Sequence, residues 1–546
     1  MTRPILVAQF TGLDASGAST TTLVATEPFS QGGGSSIFYP GGLTKPGLIR
    51  RMMYDNQALR GPEAIESGVA EIDNTNSDFD GLCGLAYDGM TFTVARMDPA
   101  TLVAYPSPSS LKYSFFGKSE QATYDFNTFT FAIRDAVHQF DVAALVTKYA
   151  GNNVLPNGIE GSAQLLGKPK PAVFGGPAKN ISPILVNTSK LIYQVDGVRG
   201  LVSGYSISVM DKRNLLTAGA VYSKQSDMET NAPATGQYRV WPAGGCFRLG
   251  STSTGRVTCD VTNPCTTGNG LTGSTTGLEI HSVMRQLAAL QNPVFTSNAP
   301  FQSLCAATPA VAVYLDSEIT VFNALADVAN SVNGYFRYMQ NQFVLESDGG
   351  IGFMLGQLCD PASLPYTPDR QILYVTEADC LSVPRRVTPP GLERGLPVWR
   401  VNLQYDRNYT VMTETDLVGI ALTDLEYASK EYRTVTASDS SILTQWPAAP
   451  ELNVTTSITN QTEAQAECNR LLALHKVRRD MIVVTIPGEL ARQVPDTAGT
   501  LFYPVQVGSR VNLSYPRFGL DAGRLFLVVT LLESYDDDTV ELTLWG

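Results

Sequence analysis

The C-terminal stretch, residues 461–546, carries the clearest change of hydrophobic period in the chain. Its first part reads QTEAQAECNRLLALHKVRR and repeats apolar residues at helical spacing, among them Ala464, Leu471 and Leu474. Asn460 precedes this pattern as a suitable N-cap. Glu463 lies in the first turn and basic residues fill the last, which complements the helix dipole: Lys476, Arg478 and Arg479. We therefore predict a helix over residues 461–479.

A β-strand pattern replaces the helical one from residue 481 onward. MIVVTI at 481–486 is β-branched and ends at a Pro-Gly turn signal. Further strands are predicted over 505–513, 524–534 and 539–545. In the last strand, three apolar residues (Val540, Leu542 and Leu544) alternate with three predicted to form a wetter face (Glu541, Thr543 and Trp545). A helix packed on a small antiparallel sheet or barrel would bury both apolar faces.

Length and composition predict a mainly β (α+β) chain of several domains. The chain has 546 residues, and a single core stops growing at roughly 250–300 residues. Its 47 glycines and 32 prolines, with abundant Ser and Thr, indicate many short strands and turns. Charged residues make up only 16% of the chain, which is low for a soluble monomer. We expect part of the surface to be buried against partner subunits.

We predict three regions along the chain: N-terminal β-rich domains at 1–272, an α/β domain at 273–365, and a second β-rich domain at 366–546 that contains the C-terminal helix. Short strands are expected near the N-terminus, at 5–10, 20–26, 37–39, 69–72 and 90–95. Residues 424–434 fit either a strand or a helix, and the sequence leaves this open.

The predicted α/β domain follows a glycine- and threonine-rich linker at 264–275. Thr276 and Glu279 have the spacing of a capping box before a short amphipathic helix that runs from Ile280 to Leu290. A second helix is predicted over 319–332, and a hairpin follows with strands at 334–338 and 342–345.

The charge balance argues against a protein that grips nucleic acid. The net charge is −12 and the isoelectric point is about 4.9, so phosphates would be repelled. No apolar run reaches the length of a membrane span, and the N-terminal residues have no apolar core of signal-peptide length. We expect a soluble protein made in the cytoplasm.

Eight cysteines, without a C-x-x-C pair in a chain of this size, do not form a disulfide framework. They are Cys83, Cys246, Cys259, Cys265, Cys305, Cys359, Cys380 and Cys468. Cys246, Cys259 and Cys265 form the one cluster in sequence. Three thiols without a fourth ligand fit buried thiols better than a metal or iron–sulfur site.

Residues 76–87 imitate the start of a calcium-binding loop. Asn76, Asp78, Asp80 and Gly81 have the spacing of an EF-hand loop, but Tyr87 stands where a bidentate glutamate is needed. Because Asn and Asp also favour turns through bonds to nearby backbone, we predict a turn here.

The sequence predicts no enzyme. Its three histidines, His138, His281 and His475, are widely spaced, and surface or packing roles fit them better than metal or base roles. The nucleophile-elbow, zinc-helix and nucleotide-loop motifs are absent from the sequence. The basic pair Lys168 and Lys170 is too small for a phosphate-binding patch. We predict no catalytic, cofactor-binding or metal-binding residues.

Several motifs follow one another along the chain. The C-terminal part contains CNRLL, then VGSRVNLSYPRFGLDAGRLFLVV and a closing VELTLWG. The middle contains EG at 160–161, GKPKP at 167–171, VFG at 173–175, NISP at 180–183 and YQV at 193–195, and GRVTCDV follows at 255–261. Together these motifs resemble the tail-hub or tail-tip (baseplate hub) structural proteins of bacteriophages. The stretch at 68–80 matches in part, because Phe79 replaces a glycine of the family pattern.

The resemblance implies a mainly β virion protein of the tail tip, assembled in the host cytoplasm from β-barrel hub domains and small α/β domains. It implies a homotrimeric ring that closes the tail tube, contacts tube, distal tail, tape-measure and fibre proteins, and opens for DNA ejection. An acidic channel lining would let DNA slide without sticking. The alternative function is a tail-associated protein that binds or depolymerises host-surface carbohydrate.

Overall fold

The computed structural model describes residues 5–31, 37–54, 59, 67–97, 112–265, 276–291, 301–303, 308–340, 351–362, 372–388, 395–413, 426–492, 494–495, 502–503, 505–534 and 537–546. They group into two compact units, each assembled from separate stretches of the chain. Unit 1 comprises Met1–Gln139, Tyr335–Leu396 and Arg478–Gly546, and unit 2 comprises Phe140–Gly334 and Pro397–Val477. The linear boundaries after residues 272 and 365 remain predictions.

The predicted mainly β class is confirmed by the elements that form. The strands are, in chain order, β1 (Ile5–Leu13), β2 (Ser19–Ala25), β3 (Phe29–Gln31), β4 (Ile37–Tyr39), β5 (Leu43–Lys45), β6 (Leu48–Met52), β7 (Ser67–Asp73), β8 (Thr91–Met97), β9 (Lys112–Ser119), β10 (Thr123–Tyr124), β11 (Thr128–Asp135), β12 (Ala172–Ile181), β13 (Ile184–Asn187), β14 (Ile192–Gln194), β15 (Ser206–Asp211), β16 (Asn214–Leu215), β17 (Thr217–Ala218), β18 (Gln237–Trp241), β19 (Cys246–Leu249), β20 (Val257–Asn263), β21 (Phe301–Ser303), β22 (Ala312–Leu315), β23 (Gly334–Gln340), β24 (Ile351–Gln357), β25 (Ile372–Val375), β26 (Arg385–Val387), β27 (Arg400–Tyr405), β28 (Arg433–Ser438), β29 (Glu451–Thr455), β30 (Met481–Pro487), β31 (Val494–Pro495), β32 (Phe502–Tyr503), β33 (Arg510–Tyr515), β34 (Leu520–Ser534) and β35 (Thr539–Trp545).

The helices are short and few beside these strands. They are α1 (Gln225–Thr230), α2 (Ile280–Ala288), α3 (Val321–Asn330), α4 (Ile442–Gln445), α5 (Gln461–His475) and α6 (Gly488–Arg492), with 3-10 turns at Asp80–Gly84, Ala136–Phe140, Ala163–Leu165, Pro242–Gly244 and Glu377–Asp379. Within the described residues, no helix is both long and apolar enough for a bilayer crossing.

Unit 1 contains one large sheet to which both ends of the chain contribute. Its strands follow the order β2-β1-β8-β9-β11-β7-β6-β34-β35-β30-β26, and β25 pairs with β33 in parallel beside β34. Alternation along the N-terminal strands directs Phe10, Phe92 and Phe131 into one core, where the rings of Phe10 and Phe131 lie 4.7 Å apart. The period-two pattern read from the sequence is thus the pattern that builds this core.

The C-terminal strands of unit 1 agree with the prediction in part. β35 spans residues 539–545 as predicted and lies between β30 and β34. The strand predicted over 505–513 begins only at Arg510, because residues 506–509 form a turn in which the Ser509 N–H donates to the Gln506 carbonyl at 2.9 Å. β34 begins at Leu520, ahead of the predicted residue 524.

The wetter face predicted for β35 is wrong at two of its three residues, since Glu541 is half-buried but Thr543 and Trp545 are buried. Thr543 is only 8% exposed and Trp545 only 1% exposed. The guanidinium of Arg479 lies 5.3 Å from the centre of the Trp545 ring, so a charged side chain covers the indole. Alternation in the sequence identifies the more apolar face of β35. It does not predict that Arg479 covers Trp545 on the opposite face.

Unit 2 contains two five-stranded sheets that share a core. The sheet orders are β16-β15-β20-β12-β22 and β13-β14-β19-β18-β17. Buried side chains of both sheets meet in this core, among them Val173 and Val209 from the first sheet and Tyr193 and Phe247 from the second. The Tyr193 and Phe247 rings stack at 5.3 Å. Two sheets packed face to face are the expected way to bury strands of this composition.

Helix α5 packs on the three-stranded sheet β28-β27-β29 of unit 2. The predicted N-cap is confirmed, since the Asn460 Oδ1 accepts from the N–H groups of Thr462 and Glu463 at 2.8 and 3.3 Å. The predicted C-terminal end is wrong: α5 ends at His475, whose carbonyl accepts from the Val398 N–H at 2.9 Å. The basic residues therefore cap and follow the helix rather than fill its last turn.

The helices predicted for the α/β domain are shorter than expected. α2 begins at Ile280, and Glu279 makes only half of a capping box by accepting from the Thr276 N–H at 3.1 Å. Helix 319–332 is observed as α3, capped by Thr320 at 3.2 Å to the Asn323 N–H. β23 confirms the first hairpin strand, while residues 342–345 and most of the linker at 264–275 lie outside the described residues. The sequence left residues 424–434 open between a strand and a helix, and the structure contains both: residues 426–428 form a helical turn, and β28 begins at Arg433.

Candidate interaction surface

Residues 141–171 of unit 2 form a long segment between two regular elements, which we call the arm. It contains one 3-10 turn, Ala163–Leu165, and leads into β12. Its ends and middle are tied to each other by backbone bonds: the Tyr149 N–H donates to the Lys168 carbonyl at 2.9 Å, and the Gly151 N–H donates to the Glu160 carbonyl at 2.9 Å. The arm therefore has a defined conformation without being a helix or strand.

Side chains tie the arm to the sheet beneath it. The Asn153 Nδ2 donates to the Val186 carbonyl of β13 at 2.7 Å, and its Oδ1 accepts from the Glu160 N–H at 2.7 Å. The Asn187 Nδ2 donates to the carbonyls of Pro156 and Gly158 at 3.0 and 2.9 Å. The half-buried Asn153 amide and the buried Asn187 amide satisfy backbone groups that a loop would otherwise leave without partners.

A buried polar group anchors the base of the arm. The Tyr149 hydroxyl donates to the Gln194 Oε1 of β14 at 2.6 Å, and Lys170 forms an ion pair with Glu160 at 2.6 Å. Partial burial alone would raise the pKa of Glu160, but the hydrogen bonds from Lys170 and from the Ala150 N–H outweigh it and lower that pKa. The Glu160 carboxylate is thus kept ionised in the folded protein at neutral pH.

Gly158 shows why the arm follows this path. Its φ is +105°, and a Cβ at this position would lie 2.4 Å from the Asn153 Oδ1. Only glycine accepts this backbone conformation and this close approach together. Its N–H donates to the Glu229 Oε1 at 3.1 Å, which also ties the arm to helix α1.

The outer side of the arm presents aliphatic side chains to solvent. Five of them are exposed: Val142 (43%), Val146 (72%), Val154 (82%), Leu155 (52%) and Leu166 (65%). Single exposed aliphatic residues are ordinary on soluble proteins, but here they share one segment that is fixed by buried hydrogen bonds. A fixed surface of this kind loses little conformational entropy on binding. It is suited to contact with another protein.

The cysteines singled out from the sequence do not converge. Cys246 and Cys259 belong to separate cores of unit 2, and burial raises the pKa of Cys246 to about 12 and that of Cys265 to about 11. Such thiols stay protonated at neutral pH and are poor nucleophiles. Among the described residues, no group of three or more His, Cys, Asp or Glu side chains could hold a metal ion.

The histidines also lie apart. His138 follows β11, with its Nε2 3.4 Å from Arg134, and His475 ends α5. His281 is 1% exposed within α2, and burial lowers its pKa, so the ring is neutral at physiological pH. Of the surface or packing roles predicted for the histidines, the burial of His281 matches packing.

The predicted turn at 76–87 is confirmed by its hydrogen bonds. The Asn74 Oδ1 accepts from the Phe79 N–H at 2.8 Å, and its Nδ2 donates to Asp80 at 2.8 Å. Asp80 then begins a 3-10 turn, and the Tyr87 hydroxyl donates to the Leu82 carbonyl at 3.0 Å. The Asx-type bonds use Asn74, which lies before the stretch singled out from the sequence.

The arm is a candidate surface that sequence reasoning missed. Its motifs, including Glu160-Gly161 and the run GKPKP at 167–171, contribute to the family resemblance, but their pattern alone does not predict one fixed segment. Of the two lysines, Lys168 is exposed and Lys170 is buried in its ion pair. The missed signal was the recurrence of Asn and Gly beside Val and Leu within one short stretch.

Matches with known proteins are found among solved structures. No protein-family model matches the chain, and no curated protein matches it. The tail protein from Neisseria meningitidis MC58 matches at 11% identity and a TM-score of 0.42, over 95% of this chain and 96% of that one. The 43 kDa tail protein of prophage MuSo2 from Shewanella oneidensis matches at 10% identity and a TM-score of 0.39, over 99% and 98%.

A third structure is the prophage tail protein gp18 from Listeria monocytogenes EGD-e, with 6% identity and a TM-score of 0.35, over 100% of this chain and 94% of that one. At these identities and TM-scores the likeness carries no functional argument, so any function has to rest on the residues of this chain. The structures to which the chain is similar are thus named as tail proteins, the class that its sequence motifs resemble.

Proposed function

We propose that this chain is a structural component of the tail tip or baseplate hub of a tailed phage. In this proposal three copies form a closed ring that ends the tail tube and contacts tube, distal tail, tape-measure and fibre proteins. DNA passes through the ring without specific binding. The proposal assigns no catalytic step, cofactor or metal to the chain.

The exposed aliphatic side chains of the arm are the observation that supports this proposal most. Complete burial of a Val or Leu side chain stabilises by roughly 1.5–3 kcal/mol. Several such side chains on one fixed segment would offset a substantial part of the cost of association, about 4–15 kcal/mol. The low charged fraction of the chain, 16%, also suits a surface that is partly covered by neighbours.

The acidity of the chain fits a channel for DNA. A net charge of −12 repels phosphates, and carboxylates lining a channel would prevent adhesion of the passing duplex. A channel surface that proves neutral or basic in the assembled ring would contradict this part of the proposal.

Two leucines of unit 2 allow a matched test of the arm. Leu166 in the arm is 65% exposed, and Leu215 in β16 is 70% exposed. We expect Leu166→Asp to weaken self-association at least about tenfold, because a buried charge at an interface has no partner. Leu215→Asp should leave it unchanged. Sedimentation velocity over a dilution series measures both.

Equal behaviour of the two variants, with wild-type association retained, would remove the arm from the ring interface. The carbohydrate-active alternative predicts a different outcome altogether: a monomeric protein that clears cell-wall or capsule material in a zymogram.

A further inference from the structure

One carboxylate of unit 1 is shared by several arginines. Asp480 directly precedes β30 and contacts the Arg386 guanidinium, and its Oδ2 accepts from the Arg524 Nη1 at 2.8 Å. The Arg478 Nε lies 3.9 Å from the Asp480 Oδ1. The three arginines remain 34–50% exposed. Among the described residues, three partly exposed guanidinium groups therefore gather at the Asp480 carboxylate, in a chain whose net charge is −12.

This basic cluster adjoins the end of the large sheet. β26 pairs with β30 and is the last strand on that side, so within the described residues its other side has no neighbouring strand. Backbone N–H and carbonyl groups along such an edge are available for a further strand. The residues just before β26 expose two aliphatic side chains, Leu381 (56%) and Val383 (67%).

Charged residues on an edge strand can also serve to prevent unwanted strand pairing. That explanation accounts for Arg386, which lies on β26 itself. It does not account for Arg478, which lies outside the edge strand, or for Arg524, which lies on the interior strand β34. It also does not account for two exposed aliphatic side chains next to the edge, which favour pairing.

We propose that the β26 edge binds an extended acidic segment of another protein, which adds to the sheet as one more strand. Backbone hydrogen bonds to β26 would supply affinity, and Leu381 and Val383 would contact its apolar residues. Guanidinium groups bind carboxylates through paired hydrogen bonds, so Arg386 and Arg478 select Asp or Glu in the segment. Arg524 holds Asp480 in place, since its two terminal nitrogens donate to Asp480 and to the Gly546 carbonyl. DNA could also be attracted by arginines, but it has no backbone that can extend a β-sheet, so the edge favours a peptide.

The test uses the full chain and a short labelled peptide in which Glu alternates with Val. Fluorescence anisotropy at low salt should show binding that weakens as salt rises. Two control peptides separate the contributions: one with Lys in place of Glu, and one with proline at its central Val positions. We expect at least tenfold weaker binding of each, because the first has the wrong charge and the second cannot pair with an edge.

Variants of the protein locate the site. Arg386→Gln combined with Arg478→Gln should weaken binding of the Glu-Val peptide at least tenfold. Arg400→Gln is the matched control, because Arg400 in unit 2 is 39% exposed against 40% for Arg386, and it too contacts a carboxylate. Val383→Asp is a second variant, in which the new carboxylate should repel the glutamates of the peptide. Val383 is 67% exposed, so this substitution does not alter the core.

Binding that is lost in the arginine double variant and in Val383→Asp, but kept in Arg400→Gln, supports the proposal. Equal binding of the proline peptide would reduce the site to unspecific charge attraction and overturn it. An oligonucleotide of equal charge that binds more tightly than the peptide, or no peptide binding at low salt, would overturn it as well. None of these outcomes bears on self-association through the arm, so the two proposals succeed or fail separately.

Discussion

Asn153 is the residue on which the shape of the arm depends most. Its amide bonds the arm to itself through the Glu160 N–H and to β13 through the Val186 carbonyl, both at 2.7 Å. Sequence alone predicts an Asn in such a stretch to serve a local turn, because short polar side chains bond to nearby backbone. The bond across to β13 depends on the fold and cannot be derived from spacing.

We expect Asn153→Ala to loosen the arm at a cost of roughly 1–3 kcal/mol, because two partners lose their hydrogen bonds. Amide hydrogen exchange at Glu160 should become faster. Asn157→Ala is the control within the arm, since Asn157 is exposed and its Oδ1 accepts from the Lys190 Nζ at 2.7 Å. Unchanged exchange at Glu160 in Asn153→Ala would contradict the assigned role.

The ion pair of Glu160 and Lys170 predicts a dependence on pH. The folded protein lowers the pKa of Glu160 below its usual value of 4.5, so the stabilisation is present above pH 4.5 and is lost as the pH falls through the lower folded value. We expect Glu160→Gln to lower the melting temperature at pH 7 and the difference from wild type to shrink below pH 4.5. Thermal unfolding across this range measures it.

Glu318→Gln is the matched control for this pH experiment. Glu318 also pairs with a lysine, Lys148, but its side chain is 75% exposed. Exposed pairs contribute little to stability, so this variant should follow the wild type at every pH. A pH-independent difference for Glu160→Gln would mean that the carboxylate is not held ionised by Lys170.

Among the elements, helix α5 begins where the sequence predicts but ends at His475, four residues before the predicted residue 479. The cap is local, so Asn460 and the pattern after it are sufficient to place the start. The end is set by a tertiary contact, because the Val398 N–H donates to the His475 carbonyl. The residues from Lys476 to Arg479 favour a helix in the sequence and therefore do not reveal this end. A hydrogen bond also explains why β33 begins later than predicted: the Ser509 hydroxyl accepts from the Gln506 N–H and holds a turn before the strand.

The cap of α5 can be tested directly. Asn460→Ala should cost about 0.5–2 kcal/mol in the free energy of unfolding, because two N–H groups lose their acceptor. Asn469→Ala is the control on the exposed side of the same helix, where alanine favours the helix and should not destabilise. Denaturant titration of both variants compares them. Equal losses would show that the Asn460 side chain has no capping role.

At the scale of the whole molecule, the sequence predicted the fold class but could not show how distant segments combine. β6 from the N-terminal part pairs with β34 near the C-terminus, and β25 pairs with β33 in parallel. Local pattern carries no information about which strands become neighbours across hundreds of residues. The two compact units are therefore discontinuous, whereas the predicted domains were continuous stretches.

The two candidate surfaces also depend on how distant residues come together in the fold. The exposed aliphatic residues of the arm and the arginines around Asp480 are visible in the sequence only as unrelated residues. The fold places Arg386, Arg478 and Arg524 at one carboxylate, and it turns Leu155 and Leu166 outward on a fixed segment. Sequence motifs could therefore suggest the class of protein but not the surfaces through which it would assemble.

The proposed function requires the chain to assemble into a ring on the tail axis. Negative-stain imaging of the purified protein, combined with its native mass, tests this assembly. We predict ring-shaped particles with three times the 58.8 kDa mass of the chain, and labelled virions should carry the protein on the axis at the tail tip. A 58.8 kDa monomer, or a label on peripheral spikes of the virion, would contradict the account.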